Sequence, residues 1–199
     1  MPRIRPFFAD GWFNSAVHQS SPHFNERPEG MPISLVVLHY ISLPAGEFGG
    51  SAVDDLFMGR LIETEDPKLS ELRGLRVSSH FFIRRTGEVR QYVSLFDRAW
   101  HAGVSTFEGR ENCNDFSVGI EIEGTGSVPF AEAQYLALSP LLGALRRTLP
   151  IEAVTGHEFI APGRKQDPGP YFNWWRVRNM LPSSVRVVND PQRPLSSLV

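Results

Sequence analysis

Five side chains in this 199-residue sequence have the types needed to hydrolyse a bond at a metal: His39, Glu121, His157, Lys165 and Asp167. Three of them fall in one stretch, "TGHEFIAPGRKQDPGP" (155–170), stiffened by Pro162, Pro168 and Pro170. Proline narrows the unfolded ensemble, so holding three side chains at one point costs less entropy there. The competing reading of Asp167 is a turn former before Pro168, a common use of Asp-Pro. His39 sits near the C-terminal end of the apolar run "SLVVLHYISL" (34–43). Sheets of α/β proteins gather functional groups at the carboxyl ends of their strands, and an imidazole turned into an apolar interior needs a partner. Alone, such a histidine reads as a satisfied core residue. With His157 and Asp167 it makes two imidazoles and a carboxylate, a donor set that suits zinc. Zinc takes these ligands at about 2.0–2.2 Å, and a catalytic site keeps a further position for water.

The histidines are His18, His23, His39, His80, His101 and His157, and none forms an HExxH pair. Any metal site is therefore assembled from separate segments rather than from one helix. Hydrolysis also needs a general base and a partner for the oxyanion. Glu121 is the candidate base: in "FSVGIEIEG" (116–124), Val118, Ile120 and Ile122 point one way, and Gly119, Glu121 and Glu123 the other. A glutamate within an apolar strand is not an ordinary surface charge; Glu123 is the better candidate for a structural hydrogen bond. Lys165 is the candidate oxyanion partner, although a loop lysine read alone is a solvated one.

The elements that must hold these residues are legible in outline. Residues 1–31 are turn-rich and read as a wrapping arm. Residues 34–43 and 116–124 read as strands, and 78–95 as a hairpin turning at Thr86-Gly87. A short helix is expected around Ala52–Arg60. Residues 131–148 have helical periodicity, with Leu138, Leu141, Leu142 and Leu145 on one face. Pro140 either kinks that helix or opens a second segment with Ser139 as N-cap. "AVTGHEF" adds a short strand and "FNWWRVRNML" (172–181) a last helix. The chain thus reads as α/β: one domain, residues 1–182, with a central mixed sheet flanked by helices, and a loose tail at 183–199.

Composition narrows the function classes. A net charge of −2 and a sequence pI near 6.3 give no basic field for nucleic acid. Lys68 and Lys165 are the two lysines. One cysteine, Cys113, excludes an internal disulfide and cysteine-rich zinc sites. No apolar run suggests a signal peptide or a membrane span. These features read as a soluble, cytoplasmic monomer.

The segments "SPHFNERP", "VVLHYISLPAGEFGG", "LRVSSHFFIRRTGEVRQYV", "RAWHAGVS", "CNDFSVGIEIEGT" and "TGHEFIAPGRKQDPGP", in this order, resemble the zinc N-acetylmuramoyl-L-alanine amidases of the amidase type 2 family, which includes the peptidoglycan recognition proteins. The similarity runs from about Ser21 to Trp175 and is strongest to the branch that acts on 1,6-anhydro muropeptides in cell-wall recycling. The resemblance implies zinc on His39, His157 and Asp167, Glu121 as catalytic glutamate and Lys165 as stabiliser of the tetrahedral intermediate. It implies Trp100 against the anhydro sugar and Arg76 against a peptide carboxylate, where a guanidinium binds bidentately. Tyr40, Asn112, His101 and Ala161 complete the expected substrate side; His101 is also read as a support for a ligand. Tyr40 stands where relatives often carry asparagine, and Asn112 where arginine is common, so peptide or sugar preference is expected to differ if they touch substrate. The alternatives are a non-catalytic peptidoglycan-binding module, a wall-trimming amidase and a zinc peptidase acting within the stem peptide.

Overall fold

The computed structural model describes residues 7–61 and 66–189. In chain order, the arm contributes β1 (Phe8–Ala9), β2 (Trp12–Phe13), β3 (Val17–His18) and β4 (Phe24–Glu26). The long strand β5 (Leu35–Ile41) leads to α1 (Ala52–Phe57). The hairpin β6 (Phe81–Ile83) and β7 (Val89–Gln91) follows, then β8 (Asp97–Ala99), β9 (Thr106–Phe107) and β10 (Arg110–Glu111). The second long strand, β11 (Ser117–Glu123), precedes α2 (Glu132–Thr148). The chain continues through β12 (Ala153–Gly156), α3 (His157–Ile160), α4 (Trp174–Met180) and β13 (Arg186–Val188).

Seven strands form the main sheet in the order β13-β12-β5-β11-β6-β7-β3. β5 and β11, both apolar and β-branched, lie parallel at its centre, with Val36 opposite Val118 and His39 opposite Glu121. β6 and β7 pair antiparallel, so the sheet is mixed. Their turn needs Gly87, whose φ is 87°, a region open to glycine at no steric cost.

Alternation assigns the two faces. Val36, Leu38, Val118, Ile120 and Ile122 pack with Leu138, Leu141, Leu142 and Leu145 of α2 in one apolar cluster. The residues between them face the other way. There α1 sits over Phe82 and Tyr92, and Ala102, Phe107, Phe116 and Ile160 pack against Leu35 and Val37. Gln134 fixes α2 to the sheet: its side-chain oxygen accepts from Ala131 N (2.8 Å), and its amide donates to the carbonyls of Ile83 (3.2 Å) and Glu123 (2.9 Å).

Three expectations are corrected. α2 runs unbroken from Glu132 to Thr148, so Ser139 and Pro140 open no second segment. Pro140 lies on the exposed side together with Leu136, where water can satisfy the carbonyl that proline leaves without a donor. The segment 155–170 is not all loop, since His157 begins α3. The chain past Pro182 is not all loose either: β13 pairs parallel with β12, and Val185 and Val187 are buried in the core. Residues 1–6 of the arm and 190–199 of the tail lie outside the described residues.

Candidate metal centre

His39, His157 and Asp167 meet on the sheet face opposite α2. β5 delivers His39, 1% exposed, from its C-terminal half. β12 ends at Gly156, where any Cβ would lie 2.7 Å from Pro168 Cδ. Glycine thus lets the 167–168 chain close onto the start of α3, and Glu158 N donates to Asp167 O (2.8 Å). His39 Nδ1 and His157 Nδ1 are 2.9 Å apart, and each is 3.0 Å from Asp167 Oδ2. On the far side of its ring, His157 Nε2 donates to Ala102 O (3.0 Å). Its Nδ1 therefore carries a lone pair into the cluster. Lone pairs and an anionic oxygen packed this closely repel unless a cation stands among them, so the donor set fits a metal ion.

Electrostatics agree with that fit. Burial drives the His39 imidazole down to about 4, with His157 adding to the effect, so the ring is neutral and able to ligate at pH 7. Burial alone would raise Asp167. Its contacts with His157 and His39 outweigh burial and hold the carboxyl below the usual range.

Glu121 faces this cluster from the neighbouring strand. Its Oε1 is 3.9 Å from His39 Nδ1, and its Oε2 is buried with no hydrogen-bond partner. Burial pushes its carboxyl well above the ordinary range, and the Asp167 anion pushes it further. Glu123, two residues along, differs: its oxygens accept from Gly49 N (2.6 Å) and Arg85 N (2.8 Å). It is the structural glutamate the sequence suggested.

The cluster opens into a cleft of about 240 Å³ lined by Tyr40, Trp100, His101, Glu121, His157, Lys165 and Asp167, with Leu56 and Phe57 of α1 on one wall. Lys165 is exposed at this cleft. Trp100 packs against Arg76, whose Cζ lies 5.4 Å from the ring centre, and against His23, stacked at 6.2 Å. Arg76 lines a smaller neighbouring cavity of about 210 Å³ with Leu56, Leu72 and His23.

Three expected substrate-side residues are not among those lining the cleft: Arg76, which lines the neighbouring cavity instead, Ala161 and Asn112. Ala161 is buried as the cap of α3, and its carbonyl accepts from Arg164 N and Lys165 N. Asn112 is exposed at the start of the Cys113–Asp115 turn, with φ 57°. Its side chain gives no cap to that turn. His101 lines the cleft, but both of its ring nitrogens are engaged inside the protein. Nδ1 is 3.0 Å from His39 Nε2, and Nε2 is 3.2 Å from Ser117 Oγ. It backs the His39 ring rather than presenting a free nitrogen to the cleft.

His80, which the sequence left open between a supporting role and ordinary packing, builds the layer beneath together with Arg27, Asn114 and Gly119, which the motifs do not mark as site residues. His80 Nδ1 accepts from Gly119 N (3.0 Å), and Arg27 donates to the carbonyls of Leu95, Asn114, Asp115 and Ser117. One sequence signal was present. Glycine inside a buried strand marks a close approach, and a Cβ on Gly119 would lie 2.5 Å from the His101 ring.

Fold and site together define an amidase. The chain belongs to the N-acetylmuramoyl-L-alanine amidase family, whose profile matches residues 29–170. It is 50% identical over 173 residues to the 1,6-anhydro-N-acetylmuramyl-L-alanine amidase AmpD of Escherichia coli, covering 86% of this chain and 94% of that protein. A crystal structure of an AmpD selenomethionine derivative superposes with a TM-score of 0.85 at 48% identity, covering 88% of this chain and 99% of that one. The E. coli amidase AmiD, solved in complex with anhydro-N-acetylmuramic acid-L-Ala-D-gamma-Glu-L-Lys, superposes with a TM-score of 0.56 at 30% identity, covering 78% and 60%. Among the described residues, no helix is long and apolar enough to cross a membrane.

Proposed function

We propose that this protein hydrolyses the amide between the lactyl group of 1,6-anhydro-N-acetylmuramic acid and L-alanine in muropeptides, as a cytoplasmic, monomeric, zinc-dependent enzyme of peptidoglycan recycling. The observation that carries the reading is Glu121, a buried carboxylate with an unpartnered oxygen, aimed at three converging metal donors. A binding module has no use for so costly a group. The similarity to AmpD over most of both chains supports the substrate.

His39 Nδ1, His157 Nδ1 and Asp167 Oδ2 would hold the zinc. Bound zinc lowers the pKa of water toward about 7 and polarises a carbonyl. Glu121, made basic by burial, takes the proton of the attacking water and returns it to the leaving amine of L-alanine. Lys165, exposed at the cleft, offers its ammonium to the oxyanion that develops on the lactyl carbonyl. Trp100, packed against Arg76 and His23 at the cleft, offers an apolar wall to the sugar, and Arg76, in the neighbouring cavity, a fork to a peptide carboxylate. Tyr40 lines the same cleft.

The test is incubation with an anhydro-muropeptide, with and without a chelator, followed by mass spectrometry. The expected products are anhydro-N-acetylmuramic acid and a free peptide beginning at L-alanine, formed only with metal present. Cleavage within the stem peptide would replace this reading with a peptidase. Intact substrate in the zinc-loaded sample would replace it with a binding module.

A further inference from the structure

Both metal histidines meet the cluster through Nδ1, and the outer nitrogens of both are engaged by adjacent residues of one loop. His157 Nε2 lies 3.0 Å from the carbonyl of Ala102, and His39 Nε2 lies 3.0 Å from Nδ1 of His101. A carbonyl can only accept, so His157 carries its proton on Nε2. His39 has no such one-way partner. If His101 Nδ1 accepts, the His39 proton sits on Nε2 and its Nδ1 lone pair faces the cluster. If His101 Nδ1 donates, the His39 proton moves to Nδ1 and blocks that position. His101 thus decides whether His39 can ligate.

The placement of that loop is itself determined. Asn114, 5% exposed, accepts on one side-chain oxygen from both His101 N (3.1 Å) and Ala102 N (2.9 Å). Its own carbonyl is held by Arg27 (3.0 Å). The His101 ring then lies against Gly119, in space that any side chain on β11 would fill. Its Nε2 reaches Ser117 Oγ at 3.2 Å, and a hydroxyl can accept there.

We infer that His101 and Asn114 are positioning residues of the metal centre: Asn114 sets the 101–102 loop, and the loop sets the Nε2–H tautomers of His39 and His157. The inference rests on the metal reading above. Outer partners of metal-bound histidines commonly tune affinity in this way, with losses of about 10–100-fold on removal.

The test uses the full chain. Two-bond proton–nitrogen correlation spectra of the ¹⁵N-labelled imidazoles, metal-free and zinc-loaded, are expected to show the protons of His39 and His157 on Nε2. Chelator competition then measures zinc affinity. His101→Phe keeps a ring but no acceptor, and is expected to weaken zinc binding by about 10–100-fold. His101→Gln retains an acceptor carbonyl and should recover most of that loss. Asn114→Ala should weaken zinc binding without touching any ligand. A His39 proton on Nδ1 in the metal-free chain, or an unchanged zinc affinity in folded His101→Phe, would overturn the inference. Should the variants fail to fold by circular dichroism, the wild-type tautomers still decide it. A wild-type chain that takes up no zinc but holds both protons on Nε2 would overturn the metal reading and leave the tautomer assignment standing.

Discussion

On the α2 side of the sheet, Val118, Ile120 and Ile122 of β11 meet four leucines in a dry cluster. On the opposite side, the intervening residues of the same strand are Ser117, Gly119, Glu121 and Glu123, all buried as well. One strand therefore supplies both a stability surface and a chemical surface, separated only by the two-residue period of side chains. The apolar face gains free energy from every contact. The polar face accepts an unpaired carboxylate oxygen at Glu121 and three crowded donors at His39, His157 and Asp167. Stability on one side offsets strain on the other, as functional sites commonly require.

The comparison breaks first at the metal. His157→Ala should fold yet lose zinc and all measurable turnover; full zinc occupancy by elemental analysis would end that ligand's role. Glu121→Gln should keep zinc while kcat falls by about 10²–10⁴. Because the buried carboxyl is unfavourable as an anion, the same variant should melt at a higher temperature when metal-free. A lower melting temperature would show that Glu121 has a partner in solution. Lys165→Ala should lose about 10²–10³ in kcat at unchanged stability, measured by steady-state kinetics on the anhydro-muropeptide.

Across the sheet the pattern should invert. Leu141→Ala should cost about 2–5 kcal/mol of stability by denaturant unfolding, with zinc affinity intact in the folded fraction. The smallest effect concerns His80, which burial holds well below its usual pKa, with Arg27 adding to it. A base with a depressed folded pKa stays neutral in the fold while the unfolded chain takes up a proton below about 6.5. Its contribution is thus full above that pH and lost as pH falls, by up to about 1.4 kcal/mol per pH unit. His80→Gln should flatten the fall in stability between pH 6.5 and 5 by that amount. An unchanged slope would mean that His80 stays protonated in the fold.

Much of the molecule was legible beforehand. Strong periodicity marked β5, β11 and α2, and strand alternation put Glu121 and Glu123 together on the face away from Val118, Ile120 and Ile122. The proline-rich stretch correctly paired His157 with Asp167. What misled was local chemistry overridden by packing. Pro140 sits mid-helix because its side faces water, and the serine-rich stretch after Pro182 still reaches the sheet because Val185 and Val187 have a core to enter. Asn112 and Ala161 seemed to belong to the substrate side by their motifs, but nearness in sequence to a site residue does not place a side chain in the cleft.

The sequence by itself determined the two long central strands, the long helix, the donor types and the family, because these depend on short-range periodicity and on which atoms each residue carries. Only the tertiary structure decided that β5 and β11 align His39 with Glu121, that Gly119 yields its space to the His101 ring, and that one asparagine holds the loop behind both histidines. Those facts depend on register and on contacts between residues far apart in the chain, which no local pattern encodes.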